Sequence, residues 1–159
     1  MSTVEKKNLL DKLTEAHLAI LAVLEEANLE MPVYKDSGWR VRDILGHIAT
    51  WDQQTAKSIN AYRAGSEYLV PDLDDDETDF NDKAVAEQKK LSVPQLLNEW
   101  EEAYNGFKKA IQEMPADRFP GDMLYPWGDE RGSITKLVEY MVEHAVEHRD
   151  EIVKAMQES

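Results

Sequence analysis

The chain has no cysteine among its 159 residues. That excludes disulfides, thiolate metal ligands and a cysteine nucleophile of its own. It also fits a reducing compartment. No apolar run approaches the roughly 20 residues of a membrane-spanning helix. No basic stretch followed by an apolar one opens the chain. The expected location is therefore the cytoplasm, with no membrane partner. Positive charge is scarce: 18 Lys and Arg face 32 Asp and Glu, for a net charge of −14. Such a surface repels phosphate backbones and anionic lipid, so nucleic acid is not an expected partner. There is no G-x-S-x-G for a serine hydrolase and no glycine-rich loop for phosphate. Strand-like alternation is almost absent, and so are internal repeats.

What is present is helical periodicity. Residues 1–159 read as one domain. From Thr3 to about Asn28, Leu9, Leu13, Ala16, Ile20 and Leu24 recur every three or four residues, which makes one apolar stripe. A second helix opens at Ser37-Gly38-Trp39 and runs to about Ala64, where Gly65 stops it. Pro71 to Asp79 is an acidic loop, and a short helix follows from Phe80 to about Lys90. Ser92-Val93-Pro94-Gln95 reads as a capping box with proline in the first turn. The helix behind it carries the stripe Leu96, Trp100, Tyr104, Phe107 and Ile111, and ends near Met114. Residues Arg118 to Gly132 form a long loop with aromatic anchors. Ser133 caps a last helix that runs nearly to the C-terminus. Four long helical patterns predict an all-α bundle with an extra short helix.

Four histidines occur: His17, His47, His144 and His148. On the last helix His148 falls about 20° and His144 about 60° from the centre of the apolar stripe, at 100° per residue. A solvated pair would lie opposite. Residues four apart stack on one face, so both imidazoles can reach one ion. His47, beside Trp51 at the edge of the second stripe, can supply a third. Three protein ligands leave a position open, which is the arrangement of catalytic metal sites. Buried histidines can instead be bonded core residues, and His17 alone reads that way or as a pocket-lining residue. Zinc and nickel both suit three imidazoles.

The stretch Trp39-Arg40-Val41-Arg42-Asp43-Ile44-Leu45-Gly46-His47-Ile48-Ala49-Thr50-Trp51-Asp52 resembles the second-helix signature of DinB-like proteins. That signature is a tryptophan, a short cap, an aspartate and a histidine four residues later, then an aromatic and an acid. Glu143-His144-Ala145-Val146-Glu147-His148 is similar to their last-helix H-x-x-x-H. The stretch from Asp79-Phe80-Asn81 to Leu91-Ser92, and Pro126-Trp127-Gly128, resemble one branch. The resemblance implies a four-helix bundle with up-down-down-up order and a long crossover. It also implies a divalent-metal triad of His47, His144 and His148, and frequent homodimers. Metal-dependent thiol transferases and isomerases that use low-molecular-weight thiols are among the members. Arg40 departs from the Ser or Thr expected before Val-Arg-Asp. That leaves Ser37 or Asp43 to serve the free N–H groups.

Other motifs compete. His144-x-x-Glu147-His148 matches the pattern of inverted zinc peptidases, but only eleven residues follow His148 to supply their further ligand. Asp72-x-Asp74-x-Asp76 begins like a calcium loop, yet Glu77 stands where glycine is required and Lys83 where glutamate is. Asp52 falls inside the buried stripe, where a carboxylate needs a partner. The favoured reading is a structural ion pair or hydrogen bond. The functional alternative is support of a histidine, or a general base beside the metal. Glu147 is a weaker candidate for that role. Trp51 and Trp127, with His17, are the candidate pocket residues.

The expected function is a divalent-metal-dependent enzyme that transfers a low-molecular-weight thiol to an electrophile on a small-molecule substrate. Hydrolysis and isomerisation are the next reactions in line. The alternative is a metal-binding stress-response or structural protein, and an accessible cavity at the histidines would favour the enzyme. An anionic thiol would need Arg40, Arg42 or Arg131 nearby to offset the acidic chain.

Overall fold

The computed structural model describes residues 3–71, 73 and 77–158. Asp72, Asp74, Asp75 and Asp76, most of the acidic stretch, lie outside the described residues. Four long helices, α1 (Thr3–Leu24), α2 (Val41–Arg63), α4 (Val93–Glu113) and α5 (Ile134–Glu158), form the bundle. A short helix α3 (Thr78–Gln88) is added to it. No described helix is long and apolar enough to cross a membrane.

Specific contacts give the direction of each helix. Lys6, at the start of α1, donates to the carbonyls of Gln112 (2.5 Å) and Met114 (2.7 Å) at the end of α4. Those two helices are therefore antiparallel, and the ammonium satisfies carbonyls that α4 leaves free. Tyr34, beyond the end of α1, meets His148 late in α5, so α1 and α5 run together. Arg42 at the start of α2 reaches the carbonyl of Leu91, just before α4, at 2.5 Å. Tyr62 at its end reaches the carbonyl of Arg118, just after α4, at 3.2 Å. Helices α2 and α4 are thus parallel, and the order is up-down-down-up.

Two successive parallel helices require the chain to travel back along the bundle. Residues 64–92 make that crossover, and α3 lies along α2. Gly46 lets it approach, because a Cβ there would stand 2.4 Å from Gln88 Oε1. Gln88 Nε2 donates to the Gly46 carbonyl at 2.9 Å and to Thr50 Oγ1 at 3.0 Å. With α3 on its outer side, the first half of α2 is buried all round, from Val41 to Asp52.

The core has two parts. Ile20, Ile44, Leu45, Ile48, Trp100 and Ile152 fill one. Leu13, Ile59, Phe107, Ile111, Phe119 and Leu137 are among those that fill the other. The stripes that periodicity picks out on α1, α4 and α5 are the faces turned inward.

Two boundaries of the long helices and one loop differ from expectation. Helix α1 ends at Leu24 rather than Asn28: Glu26 and Ala27 donate to the Val23 carbonyl in a closing turn. Helix α2 begins at Val41, not Ser37. Gly38 has φ +76°, and residues 32–40 close on themselves through the Pro32–Arg40 bridge. Asp43 takes the N–H of Arg40 at 2.9 Å, so it serves the helix start in place of the missing Ser or Thr. Within the 118–132 loop lies a two-rung hairpin, β1 (Met123–Leu124) against β2 (Arg131–Gly132). Two residues per strand are too few to show any alternation. The capping box holds: Gln95 N–H donates to Ser92 Oγ (3.3 Å), and Ser92 N–H to Gln95 Oε1 (2.9 Å). Ser133 Oγ accepts from Lys136 N–H at 3.1 Å.

Candidate metal centre

His47 faces α5 from the buried half of α2, while His144 and His148 stack one turn apart on α5. Their Nε2 atoms converge: His144 lies 3.1 Å from His47 and 2.9 Å from His148. The three rings form a group whose ligand atoms all lie within 4.8 Å of one another. A tetrahedral ion with bonds of about 2.0–2.1 Å would space its nitrogens about 3.3 Å apart. The cluster therefore needs only small ring movements to hold one.

The donor chemistry fits as well. Burial holds His47 down to about 3, helped by repulsion from His144 and His148. Burial and His148 hold His144 at about 4. Burial holds His148 at about 4. All three rings are neutral at pH 7 and offer lone pairs.

The far side of His148 fixes its tautomer. Its Nδ1 lies 2.8 Å from Glu151 Oε1 and 2.9 Å from Tyr34 Oη. Tyr34 donates its own hydrogen to Glu151 at 2.7 Å. Nδ1 therefore carries the proton, and Nε2 presents its lone pair to the cluster. Burial first, then Glu151, pushes the Tyr34 phenol well above its usual range, so it stays a donor.

The cluster opens into a cavity of about 870 Å³ that reaches solvent. Trp51, Trp127 and Tyr140 line it, with Glu147 on the turn between the two α5 histidines. Trp51 Nε1 donates to Asn81 Oδ1 at 2.8 Å. Glu130 accepts from Trp127 Nε1 at 3.2 Å and from Tyr140 Oη at 2.9 Å.

Other residues singled out from the sequence lie elsewhere. His17 does not line the cavity. Its ring stacks on Tyr104, with centroids 3.7 Å apart, and on Trp100, and its Nε2 meets Glu101 at 2.8 Å. It is a bonded core histidine, because α1 turns this face to α4 and away from the cluster. Asp52 is five residues past His47, about 140° around the helix, and it too is absent from the cavity wall. It has no hydrogen bond or ion pair with any described residue, so the expected structural partner is missing. Its carboxyl is not among the groups that meet at the cluster. Burial raises its carboxyl to about 8. None of the three arginines reaches the cavity. Arg40 binds Asp43 and Glu30, Arg42 binds backbone carbonyls and Glu30, and Arg131 binds Asp122 and Glu67.

Tyr34, Glu151, Glu130 and Tyr140 were missed by sequence reasoning. Glu151 was open to discovery, since it stands three residues past His148 on one helical face. Tyr34 comes from an irregular segment with no periodicity to mark it.

The family model for the mycothiol maleylpyruvate isomerase N-terminal domain matches residues 10–150. No curated protein matches the chain. Among solved structures, the mycothiol-dependent maleylpyruvate isomerase is similar with a TM-score of 0.70 and 16% identity. The match covers 91% of this chain and 60% of the isomerase, so this chain spans about three-fifths of that protein. An uncharacterised protein from Clostridium difficile 630 gives a TM-score of 0.76 at 13% identity, over 96% of this chain and 95% of that one. YfiT from Bacillus subtilis, titled a probable metal-dependent hydrolase with an unusual four-helix bundle topology, gives 0.67 at 16% identity, over 99% and 89%. At these identities the structural likeness shows the fold. With the up-down-down-up order, the histidine cluster and the family match over residues 10–150, this chain belongs to the mycothiol maleylpyruvate isomerase N-terminal domain family, within the DinB-like superfamily.

Proposed function

We propose that this chain is a divalent-metal-dependent enzyme that joins a low-molecular-weight thiol to a small electrophile in the cavity beside His47, His144 and His148. The observation that carries the reading is the convergence of three neutral imidazole nitrogens at an open cavity. A structural metal site is closed by its protein ligands, whereas this one leaves room for a further ligand. That favours the enzyme over a metal-binding protein without catalysis. A zinc or nickel ion held there would lower the pKa of a bound thiol or water and favour its anion.

The chain's own groups do the rest. Glu151 and Tyr34 hold the His148 ring in place. Trp51, Trp127 and Tyr140 give one side of the cavity an apolar wall. Glu147, exposed at the rim, can take a proton from an incoming ligand. Having no cysteine, the chain must receive its thiol from solution. The thiol reading draws on the family, one of whose solved members is mycothiol-dependent. Hydrolysis is the second reading, and Glu147 favours it as a carboxylate positioned to take a proton from water.

Bound metal in wild type and His144→Ala, measured by elemental mass spectrometry, tests the centre. About one equivalent in the wild type and almost none in the variant is expected. No metal in either, after zinc and nickel are supplied, overturns the reading. Metal without turnover of any common low-molecular-weight thiol and electrophile removes the thiol-transfer version alone.

A further inference from the structure

The charged residues lining the cavity are all acidic: Glu77, Glu130, Glu147, Asp150 and Glu151. Among the described residues no lysine or arginine lines it. Two of these carboxylates carry ion pairs. Lys136 pairs with Glu130 at 3.2 Å and Arg149 with Asp150 at 2.7 Å. Glu151 serves His148 and Tyr34. Glu147 has no hydrogen bond or ion pair with any described residue. Lys136 and Arg149 offset two of the five carboxylates and a divalent ion at the histidines would offset two more, which leaves the charge of one carboxylate in the loaded cavity.

The apolar wall has a matching character. The ring centroids of Trp51 and Trp127 are 6.5 Å apart at 62°, and those of Trp127 and Tyr140 are 6.3 Å apart at 48°. The rings form an inclined corner rather than a stack. Both indole N–H edges are tied to protein acceptors, Trp51 to Asn81 and Trp127 to Glu130. Glu130 also holds the Tyr140 hydroxyl. Both indole N–H donors are thus consumed within the protein, and the Lys136 ammonium already stands 5.4 Å from the centre of the Tyr140 ring; Trp51 and Trp127 are left as the aromatic lining that holds no cation among the described residues. Indole rings attract organic cations. An anionic ligand would meet carboxylates with no guanidinium to receive it.

We propose that this cavity selects a small molecule bearing an alkylammonium group, seated against Trp51 and Trp127 with Glu147 as its countercharge. The inference rests on reading this cavity as the substrate site. It gives that site a substrate class: the electrophile or its carrier is cationic, not a carboxylate.

Three molecules of nearly one shape test it: choline, 3,3-dimethylbutan-1-ol and 3,3-dimethylbutanoate. Their binding to the full chain is titrated by calorimetry, in zinc-free and zinc-loaded protein. Choline is expected to bind at least about tenfold tighter than the alcohol, and the carboxylate most weakly. Trp127→Leu should abolish the preference for choline. Glu147→Gln should weaken choline several-fold and leave the alcohol unchanged, which separates lost charge from lost fold. Alcohol binding as tight as choline, tighter binding of the carboxylate, no choline binding at millimolar concentration, or indifference to both substitutions overturns the proposal. The metal reading fails separately. A zinc-free chain that still prefers choline keeps this inference even if His144→Ala shows that no metal centre exists.

Discussion

Helix α2 buries two ionisable side chains five residues apart, and they have opposite fates. His47 turns to α5, where two more imidazoles meet it and a cavity opens. Asp52 turns about 140° away along the same helix and meets no polar partner among the described residues. Both have been moved far from their ordinary protonation, His47 down to about 3 and Asp52 up to about 8, and burial is the first cause in each. A perturbed pKa therefore does not distinguish the two. Convergence does: His47 shares its space with other donors and with solvent-reachable volume, and Asp52 shares its space with neither. Perturbed groups mark a functional site only where several point at one place.

This contrast can be broken, most sharply at the histidine. His47→Ala should cut metal affinity by more than about a hundredfold, beyond the usual loss on removing a ligand's outer partner, with the helical signal in circular dichroism unchanged. A variant that keeps its metal would put His47 on the same footing as Asp52.

Asp52→Asn probes the other side. The folded chain keeps the Asp52 proton up to about pH 8, whereas the unfolded chain releases it near the ordinary 3.8. Below that window both states are protonated, and the group costs nothing. Through it, stability falls with rising pH by up to about 1.4 kcal/mol per unit. Above it both states are ionised, and the full cost stands. Asp52→Asn should therefore be more stable than the wild type at pH 8, and should lose less stability between pH 5 and 8 in urea titrations. Its metal content should not change. Loss of metal, or an unaltered pH slope, would erase the distinction between the two sites.

Smaller effects sharpen the histidine side. Glu151→Gln keeps the size of the side chain but weakens the acceptor on His148 Nδ1, so metal affinity should fall about tenfold, measured against a competing chelator. Tyr34→Phe leaves Glu151 in place, so a loss of only a few-fold is expected. A Tyr34 effect larger than the Glu151 effect would mean that the phenol, not the carboxylate, orients the ring.

Much of this was legible beforehand, for a physical reason. The stripes on α1, α4 and α5 are local periodicities, and so is the i, i+4 pair of His144 and His148. The Ser92–Gln95 box is local chemistry within one turn. What was hidden depends on contacts between distant segments. Nothing near Tyr34 announces His148, which lies 114 residues away. The burial of Asp52 follows from the stripe, but the lack of a partner depends on what α4 and the other helices present to it. The same limit applied to His17: its burial was readable, but its stacking on Trp100 and Tyr104, away from the cavity, was set by the choice of helix neighbours.

The span between His47 and His144 carries a further consequence for how the centre comes into being. Their ring nitrogens meet across 97 residues of chain, and closing so long a loop is an entropic cost met only when α2 and α5 dock. During synthesis from the N-terminus, two of the three ligands arrive with the last helix. A partly made chain can present His47 alone, which is too weak a ligand to capture an ion. An ion that binds the finished trio stabilises the completed fold by mass action and no earlier species. Metal occupancy would then report that folding had finished, and the crossover bundle would be safe from being trapped half-built around an ion.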